Sequence, residues 1–248
     1  MYPNLEHDAP IVSPYDLSMV KTVPLSMVKT VLLEVDKERS PWHIGPPKGL
    51  TISLLYSCWR TMMDFTFGLF GLLMLLLILP IIALLIYANS PGPIFYSQER
   101  VGYRGKKFRM HKFRSMGVNA EQAGRAAWTS KNDARVTQVG RILRATHLDE
   151  LPQALNILCG EMSLIGPRPE REEYVAELEK TDPLYRSRLV IKPGLTGWSQ
   201  VNYGYGSTSN DELEKLQYDL YYIEHQSFTF DVLIILKTIV EVVLCHGI

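Results

Sequence analysis

The stretch from Thr66 to Ala88, TFGLFGLLMLLLILPIIALLIYA, carries no charged residue and would be apolar on every side of a helix. Such a helix is about 34 Å long, close to the thickness of a bilayer's hydrocarbon core. A buried core helix is the alternative, but an apolar surface of this length all round favours membrane insertion. The stretch begins too deep in the chain for a cleaved signal peptide. Pro80 lies inside it, and its missing donor and ring clash predict a bend. After it come Arg100, Arg104, Lys106, Lys107, Arg109, Lys112 and Arg114 with no acid between them, which marks a cytoplasmic flank. The preceding flank, with Lys37, Arg39, Lys48 and Arg60 against Asp36, Glu38 and Asp64, is mildly basic too. A Pro-kinked spanning helix is one reading, but two basic flanks around a proline suit a re-entrant helix that enters, bends at Pro80 and returns to the same side.

The rest of the chain is polar. With 248 residues it can form one or two domains, and with a formal net charge of zero no bulk basic or acidic balance points to nucleic acid. Cys58, Cys159 and Cys245 are odd in number and far apart, so a reducing compartment and three buried small side chains are expected. Residues 1–50 hold seven of the fifteen prolines and a tandem repeat, LSMVKTVP then LSMVKTVL, at 17–24 and 25–32. Two copies are too few for a solenoid, and a local duplication in a tolerant leader is preferred over a partner-binding element. Residues 51–65 read as an amphipathic lead-in with Arg60 and Asp64 four apart on one face. Alternation over 94–116 with central glycines predicts a β-hairpin. Residues 119–131 suit a loop or short helix. Helices are expected over 136–158, interrupted near His147–Asp149, over 171–190 with a break at Pro183, and over 210–225. Glycine and proline make 159–170 and 191–206 loops. Residues 228–245 are apolar, but Asp231, Lys237 and Glu241 favour an interfacial or core helix over a spanning one. The fold class expected is mainly α with a short β-hairpin: a weakly structured leader (1–50), a lead-in and membrane helix (51–90), and a small cytoplasmic domain (91–248).

No Walker P-loop, GxGxxG, HExxH or GxSxG motif occurs. What stands out is a carboxylate pair among cations, in RATHLDELPQALNIL. Asp149 fits a helix N-cap with Pro152 in the first turn, and Glu150 a first-turn acid; capping alone would account for both. The same geometry would let Asp149 bind a hard divalent cation or attack phosphorus, with Glu150 handling protons or metal. Lys112, Arg114, Arg141, Arg144 and Arg168 are the cations that could neutralise phosphate, although each alone could be a solvated surface charge. Arg168, boxed by Gly166, Pro167 and Pro169, has the most rigid setting for bidentate binding. Gly194, Gly197, Gly204 and Gly206 suit either close backbone approach or simple turns.

These motifs resemble one family. SPGP at 90–93, QERVG at 98–102, KFRSM at 112–116, DAR at 133–135, LDELPQ at 148–153, GEMSLIGPRPE at 160–170 and KPGLTGWSQVN at 192–202 occur in family order. Together with the Asp64-bearing entry to the apolar helix, they are similar to the bacterial sugar transferases, the monotopic polyprenyl-phosphate phosphoglycosyltransferases. The resemblance implies transfer of a sugar-1-phosphate from a UDP-sugar to undecaprenyl phosphate, with release of UMP and a need for Mg²⁺. It implies that Asp149 is the nucleophile forming a phosphosugar intermediate, that it also serves the metal, and that Glu150 is its dyad partner. Lys112, Arg144 and Arg168 match positions near the substrate phosphates, and Pro80 matches the bend of a membrane helix. Where small members place a serine before that proline, this chain has Leu79.

The resemblance further implies the bacterial inner membrane, with the catalytic domain on its cytoplasmic face and the bilayer itself as a partner. A homodimer stays open. The short leader suggests a near-bare catalytic unit, and the tail YGYGSTSNDELEKLQYDLYYI resembles exopolysaccharide-type members, which leans toward glucose or galactose. Two rival readings are a membrane-anchored glycosyltransferase that moves the sugar alone and a non-catalytic scaffold for polysaccharide assembly.

Overall fold

The computed structural model describes residues 53–118, 120, 133–203 and 208–244. The leader, its repeat, nearly all of the 119–131 segment, Gly204, Gly206 and Cys245 lie outside the described residues. The apolar stretch and its lead-in form one helix, α1 (Leu54–Asn89). Pro80, where the bend is expected, sits inside this continuous helix. A proline there removes one donor, leaving the Leu76 carbonyl without its usual partner, and the turns on either side keep the helix going.

β1 (Phe95–Val101) and β2 (Lys107–Phe113) form the expected hairpin, antiparallel, with Phe95 opposite Phe113 and Val101 opposite Lys107. Its turn passes through Arg104 at φ +54° and Gly105 at φ +77°. The interrupted helix resolves into α2 (Gln138–Ala145), a 3₁₀ turn at Leu148–Glu150, and α3 (Gln153–Leu158). α4 (Glu172–Thr181) stops before Pro183, and a 3₁₀ stretch covers Pro183–Val190.

The two segments expected to be loops contain structure. β3 (Ser163–Ile165) pairs in parallel with β4 (Gly194–Thr196), and α5 (Trp198–Asn202) follows at once. Glycine works here between backbones. A Cβ on Gly194 would lie 2.1 Å from the Gly166 nitrogen, and one on Gly197 2.2 Å from the Gly166 oxygen. The close approach joins the GPRPE loop to the KPGLTG segment. α6 (Ser209–Glu224) begins with a capping box between Thr208 and Asp211, and α7 is Phe228–Val243.

α1 is laid along this domain. Arg60 and Asp64, expected to share one helix face, both reach across to β3. Arg60 donates to the Ser163 hydroxyl at 2.8 Å and to the Ile165 carbonyl, while Asp64 accepts from the Ser163 hydroxyl and the Leu164 N–H, both at 2.8 Å. Further along, Gly68 faces Ile157 and Leu158, and Gly71 faces Ala154. Beyond Pro80, Ile82 and Ile86 join Leu75, Phe113 and Leu143 in a core cluster. Each large apolar side chain so buried contributes about 2 kcal/mol. The other face of α1 exposes Phe65, Phe70, Leu73, Leu77, Ile81 and Leu84, and the helix is long and apolar enough to cross a membrane. An apolar surface that size belongs in lipid.

Two of the charges of α7, Asp231 and Lys237, contact the rest of the domain. Asp231 is fully buried and accepts hydrogen bonds from the Tyr56 and Tyr222 hydroxyls, at 3.0 and 2.8 Å. Lys237 donates to Asn202 and lies over the Trp198 ring. Cys58 and Cys159 are exposed and free, against the expectation of burial. Cys58 lies in the second turn of α1, and Cys159 at the C-terminal end of α3.

Candidate active site

α2 is capped at Thr146, and His147 adopts the left-handed conformation at φ +56°, which reverses the chain into the Leu148–Glu150 turn. Histidine is among the few non-glycine types that enter this region with any frequency. The turn sets Asp149 inward with only 7% of its surface exposed. Asp149 is not the cap of α3. Pro152 holds that position, and the Asp149 carboxylate has no hydrogen-bond partner among the described residues. The capping explanation therefore does not account for its burial.

Glu150 is held by two cations. Its Oε1 accepts from Lys112 Nζ at 2.6 Å, delivered by β2, and from Arg168 Nη2 at 2.7 Å, delivered by the GPRPE loop. Burial opposes the charge on Glu150, but Arg168 and Lys112 outweigh it and hold the carboxyl well below the usual carboxylate range. Burial pushes Asp149 the other way, upward; Lys112 opposes that rise and Glu150 adds to it. Burial also lowers Lys112, against the pull of Glu150. The two adjacent carboxylates thus have opposed environments, a pattern typical of groups with separate chemical duties.

Arg144 stands at the edge of this cluster. Its Nε donates to the Ser115 hydroxyl at 2.9 Å, and its charge acts on both Asp149 and Asp133. Arg114 is placed differently. It is buried and donates to the Ser90 carbonyl at the end of α1, and no contact joins it to Glu150 or Lys112 among the described residues. Gly92, at φ +137°, leaves room for this guanidinium, since a Cβ there would sit 2.3 Å from its Nη1. Arg141 is exposed. The structure therefore brings together Asp149, Glu150, Lys112, Arg168 and Arg144. Ser115, which aims Arg144, carries no sign of that role in the sequence beyond its place in KFRSM.

The donor set constrains any metal. Among the described residues no three acidic, histidine or cysteine side chains gather as a metal cage. One buried carboxylate that accepts no hydrogen bond among the described residues, beside a second, suits Mg²⁺, which is commonly held by one or two carboxylates together with substrate phosphates and water.

A long apolar helix, an α-rich domain packed along it, and an acidic pair set among cations define the class: a protein with a membrane-length apolar helix and a compact charged site beside it. The family described as bacterial sugar transferase matches residues 55–245, and the chain belongs to that family. It is 41% identical over 187 residues to the UDP-N-acetylgalactosamine-undecaprenyl-phosphate N-acetylgalactosaminephosphotransferase of Aeromonas hydrophila, covering 75% of this chain and 44% of that protein. It is 40% identical over 185 residues to the UDP-glucose:undecaprenyl-phosphate glucose-1-phosphate transferase of Xanthomonas campestris pv. campestris, covering 74% and 38%. With the exopolysaccharide production protein PSS of Rhizobium leguminosarum bv. phaseoli it shares 39% identity over 187 residues, 73% of this chain and 94% of that protein. The chain thus spans less than half the length of the first two relatives and nearly all of the third.

Proposed function

We propose that this protein transfers a sugar-1-phosphate from a UDP-sugar to undecaprenyl phosphate, releases UMP, and so begins assembly of an exopolysaccharide or related glycan. The observation that carries this reading is Asp149: a buried carboxylate that accepts no hydrogen bond among the described residues, beside a Glu150 that fixes Lys112 and Arg168 around it. A carboxylate oxygen of Asp149 attacks the sugar-bearing phosphorus of the UDP-sugar. The bond from that phosphorus to the bridging oxygen breaks, and UMP leaves with the electron pair. An oxygen of the lipid phosphate then attacks the same phosphorus, and the Asp149 carboxylate is released. Lys112, Arg144 and Arg168 balance charge on the phosphates, since phosphoryl transfer is mainly positioning and electrostatics. Mg²⁺, held by Asp149 and the phosphates, would supply further charge neutralisation.

The lipid substrate explains the architecture. In this reading α1 seats the domain on the cytoplasmic face of the inner membrane, at headgroup depth, where a lipid phosphate and a soluble nucleotide sugar can meet. The test is a nucleotide-release assay over a panel of UDP-sugars with undecaprenyl phosphate and Mg²⁺, wild type beside Asp149→Asn. UMP from at least one sugar, lost with Asp149→Asn together with covalent sugar-phosphate labelling, is the expected result. Release of UDP would establish a simple glycosyltransferase instead. Silence on every sugar, or an active Asp149→Asn, would sink the proposal.

A further inference from the structure

The GPRPE loop carries Arg168 to Glu150, and four successive carbonyls of that loop are held from outside. Pro167 O accepts from Gly194 N–H at 2.9 Å, and Glu170 O from Val101 N–H at 2.9 Å. Pro169 O accepts from the Arg100 guanidinium at 3.3 Å. The carbonyl of Arg168 itself accepts from Arg188 Nη2 at 3.0 Å. Arg188 has no place in the site described above. It is 5% exposed, lies in the 3₁₀ stretch before β4, and is gripped from behind. Its Nη1 donates to the Tyr185 hydroxyl at 2.6 Å, and its Nη2 lies 2.6 Å from Asp219 Oδ2 on α6. Asp219 is 1% exposed and accepts from the Ser199 hydroxyl at 2.7 Å.

We infer that Arg188 is a positioning residue for Arg168, tying the peptide that bears the phosphate-facing guanidinium to the rigid α5–α6 base. This rests on the proposed role of Arg168. A buried cation needs a counter-charge, and Asp219 alone would satisfy that. The contact with Arg168 O is additional, and its geometry needs the planar fork of arginine, which donates in several fixed directions at once. An ammonium at the same place can keep Asp219 company, but its single nitrogen cannot stand at both the Nη1 position that reaches Tyr185 and the Nη2 position that reaches Arg168. Prolines on both sides of Arg168 restrict its backbone, so the remaining freedom lies in the tilt of the peptide that Arg188 holds. Small displacements of a charge-stabilising group are expensive in rate.

The experiment is a double-mutant cycle on the full chain in detergent or nanodiscs, with UMP release as readout. Arg188→Lys, which keeps the charge opposite Asp219, should lower kcat about tenfold with KM within about twofold. In an Arg168→Gln background the same change should lower kcat by less than about twofold, because there is no longer a guanidinium to aim. Asp219→Asn loosens Arg188 without removing it and should give a smaller loss that also vanishes in that background. It keeps the test alive if Arg188→Lys fails to fold. Wild-type kcat in both Arg188→Lys and Asp219→Asn, or losses that multiply with Arg168→Gln as for independent structural damage, would overturn the inference. A damaged Arg168→Gln beside an intact Arg188→Lys removes the inference alone. A fully active Arg168→Gln removes the role of Arg168 and the inference with it.

Discussion

Glu150 gathers two cations on a single oxygen, Oε1. Removing its charge while keeping its shape leaves Lys112 and Arg168 without the acid that both contact, and with only the adjacent Asp149 to offset them. Glu150→Gln should therefore destabilise the protein by about 3 kcal/mol, the usual cost of breaking a buried pair from one side. Chemical denaturation against wild type measures it, and an unchanged midpoint would show that the cations find other partners. Asp133 offers a pH-dependent case. Hydrogen bonds from the Arg135 side chain lower its pKa from 3.8 to about 2. A depressed carboxylate stabilises the fold fully above its unfolded value and loses that contribution as pH falls through its folded value. The stability gap between wild type and Asp133→Asn should thus be about 1 kcal/mol near neutrality, after discounting for the partly exposed Arg135, and should close between pH 3.8 and 2. A gap that stays constant down to pH 2 would assign the effect to shape. At this scale the sequence told much: adjacent acids and a proline-boxed arginine are visible in any reading. Arg188 was not, because an arginine in PLYRSRLV looks like any surface cation until Asp219, thirty-one residues later, is folded against it.

Legibility at the level of elements follows pattern length. The hairpin alternates over seven-residue strands and shows itself in the sequence. β3 and β4 are three residues each, fully or mostly buried, and find each other across the chain, so no local period announces them. The same is true of the packing between α1 and α3. Gly71 lets the helices approach until a Cβ there would lie 2.9 Å from the Ala154 Cβ, a rigid atom that cannot rotate away. α3 follows directly on the Asp149–Glu150 turn, so this contact couples the membrane helix to the site. Gly71→Ala should overpack the pair, lowering stability by about 1–3 kcal/mol and reducing turnover. Adding Ala154→Gly should restore most of both, because it moves the methyl group from one helix to the other. Stability and UMP release of the four proteins decide the matter; a double variant no better than Gly71→Ala would mean that the close approach has no such importance.

The molecule as a whole poses the question of how an apolar helix of 36 residues meets a bilayer. A straight crossing needs about 20 residues clear in hydrocarbon. α1 has no such run. Arg60, Asp64, Gly68 and Gly71 touch the domain before Pro80. Ile82 and Ile86 pack on it afterwards, and Asn89 Oδ1 accepts from the Val139 N–H at 3.3 Å. A domain with so many ionised groups cannot follow the helix through the hydrocarbon. Both ends of α1 are therefore expected on one side, with the exposed apolar face sunk into a single leaflet. The positive flanks point the same way, and the contacts on both sides of Pro80 support the same expectation. In a variant with the native cysteines replaced by serine, Ser53→Cys before the helix and Lys106→Cys at the hairpin turn should react alike with a membrane-impermeant thiol reagent: both in inverted vesicles, neither in intact spheroplasts. Labelling of Ser53→Cys from outside with Lys106→Cys protected would mean that α1 crosses the bilayer, and the domain contacts on one side of Pro80 would have to open in the membrane.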